Sequence, residues 1–404
     1  MRTVSRDPAH PAPFARVVLL SLLTSGALLA PAPVAAQPSP ILSRAAAFDP
    51  SIQTAAMGGA SVAVFWLEEP NEWGNPATLG FVRGVRYVHG EMHRDAPSPE
   101  QEVELRSDRL LAGISGIGVS LAGKPIESLG GLRLDYAPQT VSDGFGGFVV
   151  VRPYEEVRSF SVGVSVLDVL SNLGSIGFRD RISLSVGHTW KDLIAHGLDP
   201  GGVEPSTESG ESMDRGALVR VVPIDGIGTS LLAPRDAMGV RLELGGGYTE
   251  RNYGEPSSQD VVRVLERETL RGASGRLTTA LPTGIGRGWF WDFATPTISF
   301  AFTYERTKGE SPGANGEDYD LVRSGGEISI LDMIALRLGR VDDEEGGVEG
   351  NTWGAGISLQ YRKAVGVRFD WARVPGEAEA SELDRYAVTL FIEPLRFDAS
   401  GGLE

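Results

Sequence analysis

Few side chains in this sequence are of types that do chemistry, and their spacing restricts what they could do. Apart from His10, its histidines are His89, His93, His188 and His196. His89 and His93 lie four apart, so on a strand they would share a face about 13 Å apart, too far for one metal ion. Gly309-Glu310-Ser311-Pro312-Gly313 matches the G-x-S-x-G nucleophile string. However, Pro312 stands where the helix of a nucleophile elbow would begin, and the match is a chance one in a chain with 52 glycines. No phosphate-binding or dinucleotide-binding fingerprint is present. The acidic runs at 342–345 and 317–320 read as solvated loop tips rather than calcium sites. With no cysteine in the chain, thiolate metal sites, disulfides and an acylated lipoprotein cysteine are all excluded. The residues predict no catalytic group, no metal and no cofactor, hence a non-enzymatic role.

The elements that would position any binding site begin with an export signal. Arg2, Arg6 and Arg16 precede an apolar run, Val17 to Leu29, and Val34-Ala35-Ala36 forms a small-residue cleavage site. The run is too short for the roughly 20 residues of a spanning helix, so residues 1–36 are expected to be removed. No later apolar run reaches that length. A net charge of −16 argues against a nucleic-acid partner.

Beyond Val85 the chain is a series of short period-two stripes. Val162, Val164 and Val166 alternate with Ser and Gly, and Val240, Leu242 and Leu244 with Arg241 and Glu243. Leu132, Leu134 and Tyr136, then Ile298 to Tyr304, Ile334 to Leu338, Ile357 to Tyr361, Val365 to Trp371 and Tyr386 to Ile392 repeat the pattern. Each stripe is a strand with one apolar and one polar face, and a dozen or more of them make an all-β barrel or sandwich. Polar positions rich in Ser, Gly and charge suit a wet lumen, while stripes ending in Trp or Tyr suit the aromatic girdles of an antiparallel transmembrane β-barrel. The glycines are expected to serve the curvature of a closed sheet. Long polar connections are expected at 195–214, 250–260 and 307–320, and a tight one at 339–356.

The passage "AMGGASVAVFWLEEPNEWGNPATLG", Ala56 to Gly80, breaks this pattern. Gly58, Gly59 and Ala60 permit close backbone approach, and Asn75-Pro76 is a turn signal that interrupts any ladder. Irregular backbone survives at membrane depth only where protein encloses it, so residues 37–84 fit a plug better than a first wall strand, with the barrel at 85–404.

The motifs Met57-Gly58-Gly59-Ala60 and Asn75-Pro76-Ala77 resemble the N-terminal signature of PorV/PorQ-like proteins, which belong with FadL-type hydrophobic-compound transporters among outer-membrane barrels. At the other end Gly326, Glu327, Leu336, Arg337, Gly354, Gly356, Asp370, Trp371, Ala372 and Pro375 resemble the closing hairpins of PorV-like barrels. The chain departs from that pattern in its acidic "LEEPNEWG", with Trp66 and Trp73 added. It departs again in its end, "RFDASGGLE", where the terminal aromatic is displaced to Phe391 or Phe397. The resemblance implies about 14 strands, residence in the bacterial outer membrane with lipid around it, and an N-terminal hatch. In that hatch Met57, Gly58, Gly59, Asn75 and Pro76 shape the loop, while Phe65, Trp66, Leu67, Trp73 and Leu79 line an apolar pocket. The same residues could instead simply fill the lumen and cap the sheet. The implied role is a secretion accessory that docks exported proteins among secretion-system components. The alternative is a passive channel for hydrophobic small molecules.

Overall fold

Each period-two stripe becomes one strand of a wall, and every wall strand is antiparallel to its neighbours. The computed structural model describes residues 45, 48–94, 103–124, 126, 129–142, 148–173, 181–198, 205–225, 239–253, 267–280, 297–310, 319–343, 349–361, 364–375 and 382–393. The expected signal at 1–36, Ser311-Pro312-Gly313, and Glu344 and Glu345 of the acidic run at 342–345 lie outside the described residues.

The first strands are β1 (Gly84–Arg94), β2 (Val103–Ile114), β3 (Ile117–Ala122), β4 (Gly131–Tyr136), β5 (Gln139–Ser142), β6 (Phe148–Val151) and β7 (Tyr154–Ser165). Next come β8 (Ile182–Leu198), β9 (Pro205–Asp225), β10 (Val240–Arg251), β11 (Arg267–Ala280) and β12 (Thr297–Glu310). The last are β13 (Tyr319–Ile330), β14 (Ile334–Asp343), β15 (Gly350–Tyr361), β16 (Val365–Pro375) and β17 (Glu382–Ile392). β17 pairs back onto β1, Leu390 opposite Tyr87, and closes the sheet. β3 and β4 share one place in the wall: β2 pairs with both along its length, and β7 takes both from the other side. The 15 strands of this sheet therefore fill 15 − 1 = 14 wall positions. β5 and β6 form a separate hairpin.

The two wall faces are inverted relative to a water-soluble protein. Phe302 is 58% exposed and Leu338 70%, while Ser185, Thr189, Glu305, Arg337 and Asp370 are buried on the inner face. The outward stripes end in Tyr248, Tyr304, Trp353 and Tyr386, all exposed, and charged side chains such as Arg306 and Arg340 follow above them. An apolar outer band bounded by aromatic residues is what hydrocarbon contact requires of a closed sheet.

At one end of the barrel the chain turns tightly. Ser115 and Gly116 join β2 to β3 with both φ angles positive, and 331–333 joins β13 to β14. The two-residue turn with positive φ matches the right-handed twist of its strands. The same end carries the start of β1, the close of β17 and the helix Val166–Leu173 that follows β7.

Two expectations are corrected. The stretch 195–214 is mostly ladder, with Ala195 opposite Glu208 and Leu198 opposite Pro205, because its backbone pairs across the two strands, with Thr207, Ser209 and Glu211 exposed on one face and Ser212 and Asp214 buried on the other. In β4 the apolar stripe points inward, with Leu132 and Leu134 each 1% exposed, and Arg133 and Asp135 take the outer face. This part of the wall rises past the band, so its apolar residues gain more from packing in the interior.

Candidate functional site

The chain from Phe48 to Val82 lies inside the barrel and circles its inner wall before entering β1. The helix Ile52–Ala55 is capped by the Ser51 hydroxyl and ends in Gly58 and Gly59, both at positive φ, whose N–H groups return to Ala55 and Thr54. Glycine at positive φ after the last helical turn is the usual way to satisfy those carbonyls. Further on, Asn75 caps the 3-10 helix Pro76–Phe81. Its Oδ1 accepts from the Ala77 N–H at 3.0 Å, and its Nδ2 donates to the Val62 carbonyl at 2.7 Å and to the Ala217 carbonyl of β9 at 3.1 Å.

The wall glycines make room for this path. Gly113, Gly118, Gly163, Gly187 and Gly216 stand opposite one another across consecutive wall positions, forming a row at one height. Val82, Leu79, Pro76 and Asn75 lie against that row. Farther round the wall, Val62 lies on Gly247 and Gly272, Met57 and Gly58 on Gly325 and Gly339, and Ala56 on Gly354. A Cβ at Gly163 would sit 2.7 Å from the Pro76 carbonyl oxygen, well inside van der Waals contact. The glycines therefore answer to close backbone approach at least as much as to curvature, a demand invisible without the inner segment in place.

Buried charges on the wall hold the same segment. The Glu305 carboxylate of β12 accepts the Ser61 and Val62 N–H groups at 2.7 and 2.9 Å and pairs with Arg323 at 2.8 Å. Arg109 of β2 pairs with Glu69 and, at 3.0 Å, with Glu72, which also accepts from Ser120. Burial pushes the Glu69 carboxyl, which sits on the inner segment rather than in a wall strand, up to about 7 against the pull of Arg109. Gln53 donates to Asp370, which also receives Arg337 and Arg368, while Arg337 bonds Glu327. Arg368 also reaches Glu68 at 2.8 Å. Asp370 of the closing hairpins thus contacts Gln53 of the inner segment, and Arg337 and Glu327 extend that network along the wall.

Toward the tight-turn end the segment leaves a cavity of about 310 Å³. Phe65, Trp66, Leu67, Phe81 and Phe391 supply its apolar lining; Glu68, Arg86, Arg276, Asp332, Gln360 and Glu393 supply polar groups. These charges are tied to one another. Arg86 pairs with Glu393 at 2.5 Å, and Gln360 bonds Glu68 at 2.7 Å. Phe65 and Trp66 meet edge to face at 5.2 Å, and the Arg220 guanidinium lies 5.9 Å from the Phe65 ring and 5.6 Å from the Phe81 ring.

Of the expected lining residues, Phe65, Trp66 and Leu67 reach this cavity. Trp73 packs instead with Ala45, Met92, Leu105, Leu134 and Leu193, its ring 4.9 Å from the Lys191 ammonium. Leu79 packs with Val82, Val88 and Leu111. Met57, Gly58, Asn75 and Pro76 touch wall glycines and Gly59 lies beside the Arg323 side chain, so these five shape the path rather than the cavity. Sequence reasoning missed Phe81, Phe391 and the pairing of Arg109 with the acids of "LEEPNEWG". Arginines at lumen-facing strand positions were the available signal for that pairing. His89 lies on β1 and bonds Asp108 and Glu91 on the outer face.

Neither family models nor curated protein sequences match the chain. Among solved structures it is similar to the Pseudomonas putida toluene transporter TodX, at TM-score 0.36 and 11% identity over 88% of this chain and 98% of that one. It is similar to the CymD monoaromatic hydrocarbon channel at TM-score 0.39 and 11% identity, over 87% and 99%. Pseudomonas aeruginosa OccK2 follows at 0.28 and 11%, over 76% and 95%. Likeness at this level carries no weight for substrate or mechanism. The closed wall and its apolar outer band are themselves those of a bacterial outer-membrane β-barrel.

Proposed function

We propose that this barrel is a passive conduit for hydrophobic small molecules across the bacterial outer membrane, with the inner segment, 48–82, as its hatch. The observation that carries the proposal is the cavity lined by Phe65, Trp66, Leu67, Phe81 and Phe391. It has the size of a small-molecule site, and its five aromatic and aliphatic side chains face polar groups that are largely engaged with one another, Arg86 with Glu393 and Gln360 with Glu68. Four of those five side chains, all but Phe391, ride on the hatch, so a shift of the segment would dismantle the cavity and free the lumen. Passage down a gradient needs no reacting group. The secretion-accessory role implied by the terminal motifs is less well supported, because this apolar chemistry lies inside the wall, where no folded cargo protein reaches.

The test is uptake of isotope-labelled toluene by cells expressing the protein. Uptake should exceed that of cells with empty vector and fall when Leu67→Trp or Phe391→Trp fills the cavity. Uptake equal to the vector control, together with exported proteins co-purifying with the barrel, would favour the docking role instead.

A further inference from the structure

The outer face of β9 to β13 carries two rows of side chains just above the apolar band. The lower row runs Ala217, Tyr248, Arg271, Arg306, each opposite the next across the ladder. The upper row runs Arg215, Glu250, Thr269, Lys308, Asp320 in the same way. In a chain of net charge −16, these two rows hold four cations against Glu250 and Asp320.

The acids are already shared. Glu250 receives Arg215 at 2.6 Å, Arg267 at 3.6 Å and the Tyr248 hydroxyl at 2.5 Å. Asp320 is taken by both ends of the Arg306 fork. Arg271 rests over the Tyr248 ring at 5.8 Å, and among the described residues no carboxylate pairs with it. Arg271 therefore stands directly opposite Arg306, whose charge Asp320 balances, and an anion seated between the two guanidinium groups would balance Arg271 as well. Elsewhere above the band arginines have their own acids: Arg373 has Asp384, Arg133 has Asp135, and Arg340 has Glu349.

Position identifies the anion. One row below Arg271 and Arg306 stands Tyr304, 47% exposed, followed by Phe302 and Leu277, all on the lipid-facing side. The tight turns lie at the opposite end, the periplasmic end in barrels of this type, so the cationic rows lie at outer-leaflet headgroup level. A ligand there presents charge to the arginines and acyl chain to the rings beneath. Arginine forks suit phosphate oxygens in particular.

We infer that this arc of outer wall seats a phosphorylated glycolipid of the outer leaflet, one phosphate lying between Arg271 and Arg306 with Lys308 beside it and acyl chains over Tyr304 and Phe302. The site is separate from the cavity and from the hatch.

Native mass spectrometry of the detergent-purified barrel, titrated with bis-phosphorylated lipid A and with its dephosphorylated form, tests this. The parent protein should bind the phosphorylated lipid more tightly. Arg271→Gln combined with Arg306→Gln should weaken that binding roughly tenfold or more. Arg340→Gln should leave it unchanged, and Arg271→Lys with Arg306→Lys should lose less than the Gln pair. Heat-modifiable gel migration checks folding of each variant; if the Gln pair does not fold, Lys308→Gln alone should still weaken binding. Equal binding of the two lipids, or undiminished binding by the folded variants, would overturn the inference. Displacement of lipid A by equimolar inorganic phosphate would also overturn it, by showing a plain anion site.

Discussion

Glu305→Ala should unseat the inner segment, and the structure sets the size of the effect. Glu305 accepts two buried N–H groups, of Ser61 and Val62, at 2.7 and 2.9 Å. Hydrogen bonds to a charged acceptor contribute about 1.5–3 kcal/mol each, so the low end already weakens seating by about 3 kcal/mol. Arg323 also loses its partner, but it stays on the wall in both states and cancels from the difference. At about 1.4 kcal/mol per tenfold, the unseated population rises on the order of a hundredfold. Single-channel recording in planar bilayers reads this as open probability. A trapped form shows whether the openings are movements of the segment. The chain has no cysteine, and a Cβ at Gly272 would lie 2.5 Å from Val62 Cγ1. Val62→Cys with Gly272→Cys, added to Glu305→Ala and oxidised, should abolish the openings, and reduction should restore them. If Glu305→Ala conducts like the parent, or the oxidised trap conducts as freely as the reduced one, the segment is a fixed filler and the reasoning fails.

Further outcomes follow from the same geometry. Gly187→Val drives a side chain into Pro76 and should cost about 1–3 kcal/mol or more in urea titrations of the vesicle-inserted barrel. Gly246→Ala, which meets nothing within 4 Å, should unfold with the parent. Phe302→Arg, placed in the lipid-facing band, should cost about 2–4 kcal/mol in the same titration if that face meets hydrocarbon. A neutral result there would mean the band does not.

The strands were legible because period two is a local property: a stripe such as Val365, Val367, Phe369, Trp371 states its own conformation. Which face meets lipid was legible from composition over most of the wall, yet not in β4, where Leu132 and Leu134 turn inward. That choice depends on height above the band, which no local pattern encodes. The inner passage was recognisable from its broken alternation, and its Phe65, Trp66 and Leu67 reach the cavity. Trp73 and Leu79 are chemically similar but pack elsewhere, because lining a cavity is a matter of direction rather than residue type.

The sequence by itself determined that this is a many-stranded antiparallel barrel with an irregular N-terminal passage, since alternation, turn residues and aromatic stripe ends act over a few neighbours. Only the tertiary structure decided what that passage does to the wall. Glycines as far apart in sequence as Gly113 and Gly354 serve the same segment at the same need, and Gln53 meets Asp370 across 317 residues of chain. Closure of the sheet brings them together, because a barrel sets every strand against the same enclosed space.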